Sequence, residues 1–80
     1  MTIDAIAHDA GIPASTVRMD QDKGLLPPPE RRGRVGYYGE QHRDRLRRIA
    51  HLQDRGFSLA AIKEALEAWA AGRTLDHLLG

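Results

Sequence analysis

Three consecutive prolines, Pro27-Pro28-Pro29, stand about one third of the way along a chain of 80 residues. Proline has no N–H and a fixed φ, so no helix continues through them and the local path is extended and stiff. What precedes them must therefore fold as short pieces, and Gly11 and Pro13 divide it again. Thr2 is placed to cap a first helix, with Asp4 in its first turn, where the helix dipole favours an anion. Ile3, Ile6, Ala7 and Ala10 follow at helical spacing. Gly11 ends that helix by taking a left-handed conformation. Pro13 suits the first turn of a second helix, over about 13–23, which Gly24 stops. Two short helices joined by a glycine-containing turn have the outline of a helix-turn-helix.

Beyond the prolines comes Arg31-Arg32-Gly33-Arg34-Val35-Gly36-Tyr37-Tyr38-Gly39. Glycines, a β-branched residue and aromatics in so short a stretch predict a small hairpin or wing. It has no stability of its own and must lie against the helices. Neighbours on a strand face opposite ways, so one of Tyr37 and Tyr38 packs inward and the other is free to donate its hydroxyl outward; which does which stays open. A third helix is expected over about 40–55, with an apolar stripe of Leu46, Ile49 and Leu52 amid Arg43, Arg45, Arg47 and Arg48. Gly56 ends it, Phe57 packs across the corner, and Ser58 caps a fourth helix. Leu59, Ile62, Leu66 and Trp69 share one face of that helix, and Gly72 is expected to break it. Leu75, Leu78 and Leu79 then begin a further apolar stripe.

Composition narrows the function. Apolar residues make up 41% of the chain, but eleven of them are alanine. The core is therefore small and the domain marginally stable, with little room for a buried active site. No nucleophile–base pair, phosphate loop or carboxylate pair stands out, so no enzyme activity and no cofactor are expected. Cysteine is absent, and His8, His42, His51 and His77 show no metal-ligand spacing, so no metal site is expected. No apolar run approaches the ~20 residues of a membrane span, and no signal-peptide pattern opens the chain. A soluble, cytoplasmic protein without a membrane partner is expected. The net charge is only +1, but residues 31–55 hold eight arginines against three acids. Arginine's planar fork suits phosphates and guanine edges.

Ala7 with Gly11, Ser15-Thr16-Val17-Arg18, Lys23-Gly24-Leu25-Leu26-Pro27, Arg34-Val35-Gly36-Tyr37-Tyr38, and Leu52 through Phe57-Ser58 occur in an order and spacing that resembles the DNA-binding domain of MerR-family transcription regulators. The resemblance covers about residues 2–72. It implies a mainly α, winged helix-turn-helix fold of four helices and a short two-stranded β wing, with residues 73–80 as the start of a linker or dimerisation helix. It also implies sequence-specific binding of double-stranded DNA. The partner would be a pseudo-palindromic promoter, which a homodimer untwists and bends for RNA polymerase, itself engaged indirectly. Two departures stand out. Met19 and Asp20 occupy positions where the family usually has aromatic residues, tyrosine among them. Family members also continue from about Leu75 into a long antiparallel coiled coil, so this chain is expected to be mainly monomeric.

With Val17 as the buried reference of the second helix, Ser15, Met19 and Asp22 point outward, and Thr16, Arg18 and Lys23 lie on the flanks. Expected DNA contacts are Ser15, Thr16, Arg18 and Met19 on this helix, then Arg31, Arg32, Arg34, Tyr37 and Tyr38 on the wing, and His42 and Arg43 in the first turn of the third helix. The bland alternatives are a surface pair of Arg18 with Asp22, capping by Ser15 and Thr16, and a surface pair of Asp20 with Lys23; otherwise Asp20 would repel a nearby phosphate. Dimerisation is expected through Trp69, Leu75, Leu78 and Leu79. The rival reading is a protein-interaction module using the apolar face of the fourth helix and the C-terminal leucines, or an excisionase-like architectural DNA-binding factor.

Overall fold

The computed structural model describes the backbone of residues 1–79 and the side chains of residues 1–72. Four helices and one hairpin follow in the order α1 (Ile3–Ala10), α2 (Ala14–Asp22), β1 (Glu30–Arg32), β2 (Val35–Tyr37), α3 (Glu40–Asp54) and α4 (Leu59–Leu79). This is the expected winged helix-turn-helix. Thr2 caps α1, its hydroxyl accepting from the Ala5 N–H at 3.3 Å, and Ser58 caps α4 through the Ala61 N–H at 3.1 Å. Pro13 lies one position earlier than expected, as the residue before α2.

One device ends the first three helices. After α1 the Gly11 N–H donates to His8 O and the Ile12 N–H to Ala7 O, at 3.1 and 3.0 Å. The same pair of bonds recurs after α2, from Gly24 to Gln21 and Leu25 to Asp20, and after α3, from Gly56 to Gln53 and Phe57 to Leu52. Each is a Schellman motif and each needs a residue with positive φ, here 69°, 76° and 84° at the three glycines. The motif satisfies helix-end carbonyls and turns the chain sharply, so that α1, α2 and α3 fold over a common core.

Ile6 and Ala7 of α1, Val17 of α2, Leu25 and Leu26, Tyr38, Leu46 and Ile49 of α3, and Ile62 and Leu66 of α4 form that core. Burying each of the larger side chains contributes about 1.5–3 kcal/mol. The prolines run from this core to the wing. There β1 and β2 pair antiparallel, Arg32 opposite Val35 and Glu30 opposite Tyr37. Gly33, with φ 63°, takes the first central position of the two-residue turn, where a II′ hairpin calls for glycine. Met1 extends the wing, its amino group donating to Tyr38 O and its carbonyl accepting from the Tyr38 N–H, both at 2.6 Å.

Three expectations fail. Gly72 does not break α4, which runs without interruption to Leu79. A lone glycine costs a helix about 1 kcal/mol relative to alanine, less than Ala68 to Ala71 and the continuing turns return. The proposed dimerisation residues Leu75, Leu78 and Leu79 thus belong to the same helix as Trp69, and their side chains lie outside the described residues. Phe57 does not pack across the α3–α4 corner; it is 45% exposed, because the Schellman bond from its own N–H directs the backbone, and not the ring, toward Leu52. Leu59 is also exposed, which leaves Ile62 and Leu66 as the buried members of the α4 face.

Gly36 and Gly39 separate steric need from tolerance. A Cβ on Gly36 would lie 2.8 Å from Pro29 Cγ, whereas one on Gly39 meets nothing within 4 Å. Gly36→Ala is expected to cost about 1–3 kcal/mol of stability by overpacking, and Gly39→Ala much less. Urea denaturation checks this; equal losses would show that Pro29 yields to the added methyl.

Candidate nucleic-acid interface

The exposed side of α2 and the wing flank one open groove of about 470 Å³. Arg18 and Gln21 of α2 form one wall, Arg31, Arg34 and Val35 the other, and Tyr38 lies at the back. Thr2 and Asp4, at the start of α1, complete the rim. Arg18 and Gln21 sit three residues apart on α2 and therefore on one face. Gly33 and Gly36 let the hairpin turn tightly and approach Pro29, which brings Arg31 and Arg34 over the groove.

The arginines with described side chains differ in what compensates them. Arg43 makes a bidentate pair with Asp9 at 2.8 and 3.2 Å and also reaches Glu40 at 2.7 Å. Arg45 donates to Leu25 O at 2.8 Å, Arg48 approaches Asp44 at 3.4 Å, and Arg32 lies 3.6 Å from Glu30. Among the described residues, Arg18, Arg31 and Arg34 have no carboxylate within ion-pair distance; Arg45, Arg47 and Arg55 also have none, but only the first three line this groove. The surface pair of Arg18 with Asp22 is not formed. Three uncompensated guanidiniums around one groove make a local positive field, opposed only by Asp4 on the rim.

Around this groove the expected contact residues fall into place unevenly. Ser15 is exposed and Thr16 half-buried, and no side chain caps α2, so neither hydroxyl is used in that way. Met19 is 46% exposed on the outward side. Tyr37 is half-buried beneath the Arg32 guanidinium, 5.1 Å from its ring centroid. Tyr38 is the inward member of the pair, 5% exposed, its hydroxyl donating to Gln21 Oε1. Burial pushes the Tyr38 hydroxyl above its ordinary pKa, against the opposing pull of Arg18 and Arg31.

His42 is not available at the surface. It is 2% exposed, its Nδ1 accepts from the Gly39 N–H at 3.0 Å, and its Nε2 lies 3.2 Å from Pro28 O. Arg43, held by Asp9 and Glu40, joins α1 to α3. Asp20 does not face a phosphate either: it is 5% exposed, on the same side of α2 as Val17. Gln21 and Val35 escaped the sequence reading as groove residues, although the spacing of Gln21 from Arg18 was a usable signal. Among the described residues, no group of three or more His, Asp or Glu could hold a metal ion, and no helix is long and apolar enough to cross a membrane.

Residues 1–69 match the family described as MerR HTH family regulatory protein. This chain belongs to the MerR family. Its relatives include the mercuric resistance operon regulatory protein of Serratia marcescens, 42% identical over 67 residues, which are 82% of this chain and 46% of that protein. The ZntR-homologue transcriptional regulator of Haemophilus influenzae is 37% identical over 82% of this chain and 50% of its own length. The crystal structure of the transcription regulator PbrR691 from Ralstonia metallidurans, in complex with lead(II), superposes with a TM-score of 0.86 at 30% identity, over 90% of this chain and 57% of that one. The chain spans about half the length of the curated relatives it matches. MerR-family proteins are DNA-binding transcription regulators, and the α2–wing groove lies within the matched residues.

Burial of Asp20 has a measurable consequence. Desolvation raises its carboxyl above the ordinary value of 3.8, with the Lys23 charge opposing. Between those two values the folded protein keeps a proton that the unfolded chain has released, so stability falls as pH rises through that window and the full cost persists above it. Asp20→Asn is expected to raise Tm at pH 7 and to raise it less at pH 3. A larger gain at pH 3, followed by thermal denaturation, would reverse the sign.

Proposed function

We propose that this chain reads double-stranded DNA by placing the outward face of α2 in a major groove while the wing lies on the adjacent backbone. The observation that carries this reading is the convergence of Arg18, Arg31 and Arg34, none with an acid partner, on one groove beside the exposed face of α2. Three guanidiniums held together repel one another, and a polyanion removes that cost. Arg18 takes a guanine edge or a phosphate. Ser15 and Thr16, in the first turn of α2, approach phosphates. Met19 offers an apolar contact to a thymine methyl or a sugar. Arg31, Arg32 and Arg34 follow the backbone or the minor groove, with Tyr37 beside Arg32. Tyr38, His42 and Arg43 support this surface from behind.

The whole regulator works as a homodimer on a pseudo-palindromic promoter in the cytoplasm, pairing through Trp69, Leu75, Leu78 and Leu79 of α4. Two rigidly spaced copies are what untwisting and bending a promoter requires, and RNA polymerase is engaged through the altered DNA. A single copy reaches one half-site, so it binds more weakly than a dimer that spans both. Residues 73–80 act as the start of the dimerisation segment, of which 73–79 continue α4.

Two substitutions test the reading on duplexes selected from a random pool. Arg18→Ala is expected to cost about 1–3 kcal/mol and to relax preference at one base pair per half-site. Arg34→Ala is expected to weaken all duplexes alike and to reduce the salt slope by about one. Binding that does not respond to salt would contradict the reading, since phosphate contacts release counterions.

A further inference from the structure

Two of the three groove arginines ride on a hairpin with three residues in each strand, which does not fix its own direction. Three side chains connect it to the helices. Tyr38, directly after β2, donates its hydroxyl to Gln21 Oε1 near the end of α2. His42, in the first turn of α3, accepts the Gly39 N–H on Nδ1, so its ring proton is on Nε2 and donates to Pro28 O. Pro28 precedes β1 and Gly39 follows β2, so one imidazole holds both feet of the wing. The Tyr38 and His42 rings meet edge to face, centroids 5.1 Å apart at 79°. Both residues are almost wholly buried. The contacts run unbroken from α2 to the two ends of the hairpin.

We propose that Gln21, Tyr38 and His42 are positioning residues for DNA reading. They hold the wing at one angle to α2, so that Arg31 and Arg34 share a groove with Arg18 before DNA arrives. This rests on the DNA-reading proposal above, and none of the three needs to touch the duplex. Without the Tyr38–Gln21 bond the hairpin samples several directions. Binding must then pay the entropy of selecting one, as it does for any surface that is not preorganised.

The test has a DNA-free arm and a DNA arm, both on the full 80-residue chain. In the first, N–H residual dipolar couplings report the orientation of β1–β2 relative to α1–α3. Tyr38→Phe and Gln21→Met are expected to reduce or reorient the wing couplings while those of α1–α3 stay as in wild type. Gln21→Glu, which keeps the accepting oxygen, is expected to retain the wild-type pattern. In the second arm, a fluorescein-labelled duplex enriched from a random pool on this chain is titrated. Tyr38→Phe is expected to weaken binding about threefold to tenfold, the worth of one hydrogen bond. In a background of Arg31→Ala with Arg34→Ala the same change is expected to have a clearly smaller effect, because two of the three wing arginines it positions are gone. A purely structural loss would appear equally in both backgrounds and would overturn the proposal, as would unchanged wing couplings in Tyr38→Phe and Gln21→Met. Altered couplings in a chain that binds no duplex would support the positioning role and overturn the DNA reading on which its purpose rests.

Discussion

A hairpin of two three-residue strands cannot stand in water by itself, and the presentation of this wing depends on how Tyr38 attaches it to the core. Tyr38 is the wing's entry into the apolar cluster, which also holds Ile6, Leu26 and Leu46. Its hydroxyl reaches α2, its backbone pairs with Met1, and its ring edge meets His42. Buried polar groups are tolerated only when their hydrogen bonds are made. Here no fully buried side-chain polar atom among the described residues lacks a partner, although the Asp20 carboxyl, in a residue 5% exposed, makes no hydrogen bond within the chain. The polar contacts behind the wing therefore specify one arrangement where apolar packing alone, in so small a core, would leave several.

Arginine serves both sides of this design. Arg43 and Arg45 act inward, one joining α1 to α3 and the other closing the loop at Leu25. The Arg48 guanidinium lies over the Trp69 ring at 3.9 Å, linking α3 to α4. Arg18, Arg31 and Arg34, without carboxylate partners, line the α2–wing groove. A surface ion pair is worth little for stability, so the difference between the groups matters most for the field they create. Acid partners offset the charge of Arg43 and Arg48, whereas Arg18, Arg31 and Arg34 add theirs where α2 and the wing converge.

Much of this was legible in the sequence because its signals are local. Gly11, Gly24 and Gly56 announce helix ends through the one conformation they favour, and Thr2 and Ser58 announce helix starts. The outward face of α2 followed from Val17 and helical geometry, which also places Asp20 on the inner side, three residues from Val17. What was not legible depends on partners far away in sequence. Nothing near Arg43 reveals Asp9, 34 positions earlier, and nothing near His42 reveals Pro28. Both residues have the chemistry of phosphate ligands and both are used up by the fold. The choice between Tyr37 and Tyr38 needed the three-dimensional position of Gln21. Gly72 misled because a glycine marks a helix end only when the residues beyond it do not sustain the helix.

In the proposed mode of DNA reading, the outward face of α2 and the wing form one surface that meets the duplex, while α4 stays outside it. Amide chemical shifts of the chain, followed as a selected duplex is added, test this directly. The expected result is a set of shifted amides confined to Ser15–Gln21 and Arg31–Tyr38, moving together along one binding curve. Shifts centred instead on α3 and α4, where Arg47, His51 and Trp69 line a second, separate groove, with α2 and the wing unmoved, would contradict it.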